Sequence, residues 1–184
     1  MSPAGPLPRG SHRSPQGEGS HMTLHKVWKL GADIDTDALA PGAYMKLGVE
    51  GIAPHCLEAV RPEFAATVRP GDVIVAGANF GIGSSREQAA AVLVHLGVAA
   101  VIAPSYGGLF FRNAFNLGLL LLTSPDTKML QNQELLTHVS TDLKVTFYPE
   151  KQIRIDTTPD FLLDMVRAGG LLNSLKQRKL VGAF

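Results

Sequence analysis

Gly77-Ala78-Asn79-Phe80-Gly81-Ile82-Gly83-Ser84-Ser85-Arg86-Glu87 follows the run Val73-Ile74-Val75-Ala76 and precedes an Ala-rich stretch from Gln88 to Leu96. The β-branched run suits a strand buried on both faces. Gln88 to Leu96 has helical composition, and Gly97 stands where a helix places its C′ glycine. A strand, a glycine–serine turn and a helix in that order form the first half of a β–α–β unit. The second half follows directly. Val98 to Ala103 reads as a strand stopped by Pro104, Leu109 to Leu117 as a helix closed by Gly118, and Leu119 to Leu122 as a third strand. This order predicts an α/β fold whose central sheet is at least partly parallel.

Upstream, Val27-Trp28-Lys29-Leu30 is a strand candidate ended by Gly31. Asp33-Ile34-Asp35-Thr36-Asp37 then sets three carboxylates within five residues. They suit either a functional site or ordinary turn and helix-cap chemistry. Leu39 to Glu50, with Pro41, Gly42 and Gly48, reads as a long loop, and residues 52–66 as a weak helix interrupted by Pro54 and Pro62. Downstream, Leu143 to Phe147 and Gln152 to Asp156 flank Tyr148-Pro149-Glu150-Lys151 as a hairpin. Phe161 to Arg167 reads as a helix ended by Gly169-Gly170, and Leu171 to Lys179 as another. There is no internal repeat.

Composition narrows the function. The 184 residues suffice for one domain with a proper core, and 45% hydrophobic against 18% charged residues argues against general disorder. Seventeen basic and sixteen acidic side chains leave a net charge of +1, which speaks against a broad affinity for nucleic acid or anionic membranes. A local anion site of two or three residues remains open. The single cysteine, Cys56, excludes an internal disulfide and cannot bind an iron–sulfur cluster, which needs three or four thiolates. No apolar run reaches the ~18–20 residues of a membrane span. A cytoplasmic location is expected. Residues 1–21, with Pro8-Arg9-Gly10-Ser11-His12 and the Gly19-Ser20-His21 that runs into Met22, read as a disordered cloning and protease-site leader. They lack the apolar core of a signal peptide. Met22 is taken as the natural start, and 22–184 as a single domain.

Between a buried strand and a helix, the glycines of 81–87 let backbone approach a ligand. Ser84 or Ser85 can cap the helix, whose N-terminus offers unpaired N–H groups and partial positive charge. Arg86 adds a planar fork suited to a carboxylate. Together they describe a pocket for a carboxylate or phosphate, or alternatively a capped helix with an exposed arginine. A Walker A loop is excluded by the missing Gly-Lys-Ser/Thr ending, and a dinucleotide fingerprint by Arg86 where glycine should stand. The nucleophile elbow Gly-x-Ser-x-Gly fails as well, because Arg86 and Glu87 follow Ser85. His55 and His95 have no spacing that ties them to the serines.

The string from Asn79 to Ala90 resembles the signature of the aconitase superfamily's swivelling domain, in particular the small subunits of isopropylmalate dehydratases and homoaconitases. Asp33 to Asp37 is similar to that family's Asp-x-x-Thr-Asp segment. Ala100 to Tyr106 resembles the strand after the serine loop, and Phe110 to Gly118 the next helix. The likeness runs from about Trp28 to about Lys176.

The resemblance implies a swivelling β/β/α domain that works over a large subunit carrying a [4Fe-4S] cluster, as a heterodimer or heterotetramer inactive without that partner. The implied reaction moves a hydroxyl between adjacent carbons of a 2-hydroxy di- or tricarboxylic acid by dehydration and rehydration, with iron as Lewis acid. Carried over by position, Ser84 is the catalytic base. Ser85 and Arg86 hold a substrate carboxylate, with Thr36 as a further binding candidate. Asp37 is the acid that orients Arg86 or a partner group. Tyr44-Met45-Lys46-Leu47 matches the family's substrate-discriminating loop, where Lys46 either pairs with a distal carboxylate or is simply solvated. The implied substrate is isopropylmalate, ahead of homoaconitate-type, maleate-type or dimethylmalate-type acids. A non-catalytic carboxylate-binding module is the reading from another class. Gln88-Ala89-Ala90 departs from the common His-Ala-Pro, and Gly107-Gly108 replaces bulkier residues and is expected to loosen the next helix.

Overall fold

The computed structural model describes residues 22–131 and 134–182. The leader reading of residues 1–21 lies outside them. Six strands form one sheet in the order β4-β3-β2-β1-β5-β6. They are β1 (His25–Lys29), β2 (Val73–Val75), β3 (Ala100–Ala103), β4 (Leu120–Thr123), β5 (Leu136–Val139) and β6 (Val145–Tyr148). β1 to β4 are mutually parallel, with Val27 opposite Val73, Val73 opposite Ala100 and Ala100 opposite Leu120. β5 joins β1 antiparallel, and β6 pairs antiparallel with β5. The partly parallel α/β sheet expected from the chain order is the one observed.

Side chains alternate across the sheet, so each strand feeds two cores. Trp28, Ile74, Val101 and Leu121 point to the helical side. The helices in chain order are α1 (Thr36–Leu39), α2 (Gly48–Ile52), α3 (Phe64–Thr67), α4 (Glu87–His95), α5 (Gly108–Asn116), α6 (Asp160–Ala168) and α7 (Leu171–Leu180). α4 contributes Ala89, Ala90, Val92 and Leu93 to this core, and α5 contributes Phe110, Ala114 and Phe115. Val27, Val73, Val75, Ile102, Leu120 and Leu122 face the other way, against Leu130, Leu135 and Phe147.

Fully buried Trp28 donates its indole N–H to Asp72 at 2.9 Å and meets Phe64 edge-on at 4.9 Å. Asp72, itself buried, also accepts from the amides of Lys26 and Arg69 at 3.0 Å each, so its carboxylate is hydrogen-bonded on both oxygens. Cys56 is buried, and desolvation pushes its thiol up to about 12.

Three readings need correction. The hairpin joins Leu136–Val139 to Val145–Tyr148, not 143–147 to 152–156. Its turn is closed by Ser140, whose carbonyl accepts from Leu143 and whose hydroxyl accepts from the Lys144 amide, with Leu143 at φ 64°. Pro149 has no N–H to continue the ladder. Residues 152–156 instead run past β4, where the amides of Asp156 and Arg154 donate to Thr123 O and the Asp126 carboxylate. The expected loop at 39–50 is a 3₁₀ segment, Gly42–Leu47, running into α2. The expected helix over 52–66 is a set of short turns, Ala53–His55 and α3, separated at Leu57 with φ 59°.

Candidate active site

At the C-terminal ends of β1, β2 and β3, three chain segments are laced together. After β2, residues 77–82 run on as an irregular strand between two neighbours. On one side Gly77 N–H donates to Gly31 O (3.0 Å), Asp33 to Ala78 (2.8 Å), Gly81 to Ile34 (2.6 Å) and Thr36 to Ile82 (2.8 Å). On the other, Phe80 N–H donates to Ser105 O (3.0 Å) and Gly107 to Phe80 (2.9 Å). Side chains reinforce the lacing. Asn79 Nδ2 donates to Asp33 Oδ1 at 2.8 Å, and the Asn79 amide donates to Ser105 Oγ at 2.9 Å. Asn79 and Asp33 both stand in the left-handed region, φ 62° and 58°, which Asn and Asp tolerate better than most residues.

Two glycines make this packing possible. Gly81 has φ 76°, and a Cβ there would lie 2.2 Å from the Phe110 ring. At Gly107 a Cβ would lie 2.4 Å from Gly81 O. Gly107 therefore permits a close approach rather than loosening α5, which begins immediately after it.

Beyond Ile82 the chain leaves the lacing, and Gly83, Ser84 and Ser85 stand exposed. Neither serine caps α4, contrary to the sequence-based expectation. The N-cap is Arg86 in an extended conformation, φ −86° and ψ 107°, and no side chain bonds to the helix start. The turn is held instead by Arg86 N–H to Ser84 O at 2.7 Å. Ser84 and Ser85 thus immediately precede an uncapped helix N-terminus, where partial positive charge favours an oxyanion.

Arg86 folds back over α1. Its Nη1 donates to Asp37 Oδ1 at 2.6 Å and to Ala40 O at 3.1 Å. The Asp37 carboxyl is held below its usual range, first by the Arg86 hydrogen bond and then by the Gly42 amide, which donates to it at 3.0 Å. Asp37 stays ionised near neutrality, so in this arrangement it orients the guanidinium and carries no proton. Arg86 is only 24% exposed and Asp37 65% exposed. With one Nη1 edge occupied, the remaining N–H groups of the fork can serve an incoming carboxylate.

Thr36 is brought to the same place but underneath it: it is 2% exposed, and its Oγ1 lies 3.3 Å from where a Gly83 Cβ would stand. Lys46 lies on the exposed side of the 3₁₀ segment with no carboxylate partner among the described residues. Asn79, Ser105 and Gly42 shape the site without any chemical signature of their own. Only Asn at a strand end before a glycine loop hinted at a left-handed residue there.

Among the described residues no group of three or more His, Cys, Asp and Glu could hold a metal. No helix of the described residues is long and apolar enough to cross a membrane.

Comparisons with known proteins show the family. Residues 60–127 match the aconitase C-terminal domain family. A 3-isopropylmalate dehydratase small subunit from Lachnospira eligens is 46% identical, over 85% of this chain and 94% of its own. A methanogen homoaconitase small subunit from Methanothermobacter thermautotrophicus is 39% identical, over 80% of this chain and 87% of its own. The crystal structure of a 3-isopropylmalate dehydratase from Methanocaldococcus jannaschii superposes with a TM-score of 0.77 at 36% identity, covering 87% of this chain and 96% of that one.

Proposed function

The chain belongs to the 3-isopropylmalate dehydratase small-subunit family, and on that footing we propose that it is the substrate-positioning half of a two-subunit hydro-lyase. Its partner is a large subunit, in a heterodimer or heterotetramer. The substrate is a 2-hydroxy dicarboxylic acid, 3-isopropylmalate foremost. The residues of this chain do not fit a [4Fe-4S] cluster: Cys56 is its one thiol and is buried among apolar side chains. In this reading the cluster belongs to the large subunit.

One observation carries the assignment: Ser84 is exposed at the uncapped start of α4, beside an arginine that Asp37 and Ala40 hold in place. A serine is a weak base unless its oxyanion is stabilised, and a helix N-terminus with a nearby guanidinium supplies that stabilisation. The Ser84 oxyanion takes the proton from the carbon next to a carboxylate. The C–H electron pair becomes the double bond as the hydroxyl on the adjacent carbon leaves. Rehydration with the opposite regiochemistry returns that proton. Ser85 and the free edge of Arg86 grip the carboxylate, so the acidic carbon is presented to Ser84 in a fixed orientation. Thr36, beneath Gly83, supports the turn. The exposed Lys46, without a carboxylate partner among the described residues, favours a second reading, a homoaconitate-type substrate with a further carboxylate.

The test is co-expression with the large subunit, anaerobic reconstitution, and absorbance of the unsaturated intermediate with isopropylmalate, homocitrate, citraconate and maleate in parallel. Turnover of one acid is expected, falling by about 10³-fold or more in Ser84→Ala with the complex still assembled. An assembled complex with an intact cluster that turns over none of them would overturn the hydro-lyase reading and leave a carboxylate-binding module.

A further inference from the structure

The 3₁₀ segment Gly42–Leu47 departs from the site at Gly42, whose amide is bound to Asp37 Oδ1, and none of its six residues is buried. Its placement rests on contacts at partly buried residues, Tyr44 and Met45, which pack against the main core. The most specific is aromatic: the Tyr44 ring stacks face to face on His55, with centroids 3.5 Å apart and planes within 10°. His55 Nδ1 in turn lies 2.8 Å from Glu58 Oε2, which fixes the plane of the imidazole. The histidine stands on firm ground. Cys56 and Leu57 next to it are fully buried, and Leu57 N–H donates to Ala38 O at 2.8 Å. Ala38 is the neighbour of Asp37 on α1. The platform under His55 and the carboxylate that holds Arg86 are thus parts of one short, core-anchored unit.

We propose that His55 is a positioning residue for substrate selection. Braced by Glu58, it holds Tyr44 and thereby sets where Lys46 and the rest of 42–47 stand relative to Arg86. This rests on the hydro-lyase reading above. The end of the substrate that varies between acids lies away from the carboxylate held by Arg86, and 42–47 is the segment that begins at that arginine's own partner. His55 touches neither substrate nor reacting atoms, so its loss weakens the grip on the variable end and leaves proton removal by Ser84 alone.

The experiment compares the two-subunit enzyme with His55→Ala, His55→Phe and Tyr44→Ala, reading steady-state kinetics and hydrogen–deuterium exchange of the 43–47 amides. For His55→Ala, KM is expected to rise about fivefold with kcat within about twofold, the scale of one aromatic pair. Exchange over 43–47 should quicken at the same time. His55→Phe, which keeps a flat ring, should restore both, while Tyr44→Ala should reproduce the alanine phenotype and not add to it. An unmoved KM in His55→Ala, a fall confined to kcat, or a phenylalanine variant as impaired as the alanine one would each overturn the proposal. If the unmodified complex turns over nothing, the hydro-lyase reading fails separately and exchange alone decides. Faster exchange in His55→Ala but not in His55→Phe upholds the latch, and equal exchange in both removes it.

Discussion

The strand extension that leads into the serines and the 3₁₀ segment both adjoin the Asp37–Arg86 pair and are built in opposite ways. Residues 77–82 are bonded on both flanks by six backbone hydrogen bonds and packed so closely that Gly81 and Gly107 have no room for a methyl group. Residues 42–47 have no fully buried residue: Gly42 is tied to Asp37 by its amide, Tyr44 stacks on His55, and Tyr44 and Met45 rest only partly buried against the core. Chemistry that places a base against one carbon tolerates little misplacement, whereas recognition of a variable group gains from a segment that can be re-set.

The hardest blow to that contrast is Gly81→Ala. A side chain must enter both a left-handed conformation and the Phe110 ring, so a loss of about 2–4 kcal/mol is expected. Urea unfolding of the chain with an unchanged m-value would show it. A fully stable Gly81→Ala protein would mean that the loop is not rigid.

Next in size is Asp37→Asn. Arg86 loses its ionic anchor, and KM for the carboxylate should rise about tenfold, a modest figure because the pair is partly exposed. The direction of the Asp37 shift also fixes the pH behaviour. A carboxyl held below its usual range contributes fully above the ordinary carboxylate value of about 4 and loses its contribution only as pH falls further. Neither the unmodified enzyme nor the variant should show an inflection from this group between about pH 5 and 8. An inflection that disappears in Asp37→Asn would place a proton on Asp37 during turnover.

The smallest effect sharpens the comparison from the adaptable side. Lys46→Ala should raise KM about threefold, and only for acids carrying an additional distal carboxylate. Equal effects on alkyl-bearing and carboxylate-bearing acids would remove Lys46 from recognition.

The parallel core was legible because its strands are short, β-branched and punctuated by glycine and proline: Val73 to Val75 and Ala100 to Ala103 declare themselves. The frame around Ser84-Ser85-Arg86 was legible for the same reason, since a glycine turn between strand and helix leaves few alternatives. Long-range pairing was not. Val145 to Tyr148 could have paired with the residues before or after it, and the choice was made by the Ser140 turn and by Pro149, neither of which changes the local alternation. Residues 36–67 misled for another reason. Their short helical turns owe their form to contacts with the core through Leu39, Ile52, Cys56 and Phe64, and no helix period survives in the sequence. The serine caps failed because Arg86 takes the N-cap position when its side chain is drawn back to Asp37.

Cys56 has a practical meaning for the assembled enzyme. It is sealed among Ile52, Leu57 and Phe64, and burial pushes its thiol up to about 12, so the reactive thiolate is disfavoured and out of reach of solvent. Maleimides and iodoacetamide should leave the cysteine of the folded chain unlabelled. In a complex, therefore, thiol labelling becomes a signal from the other subunit alone.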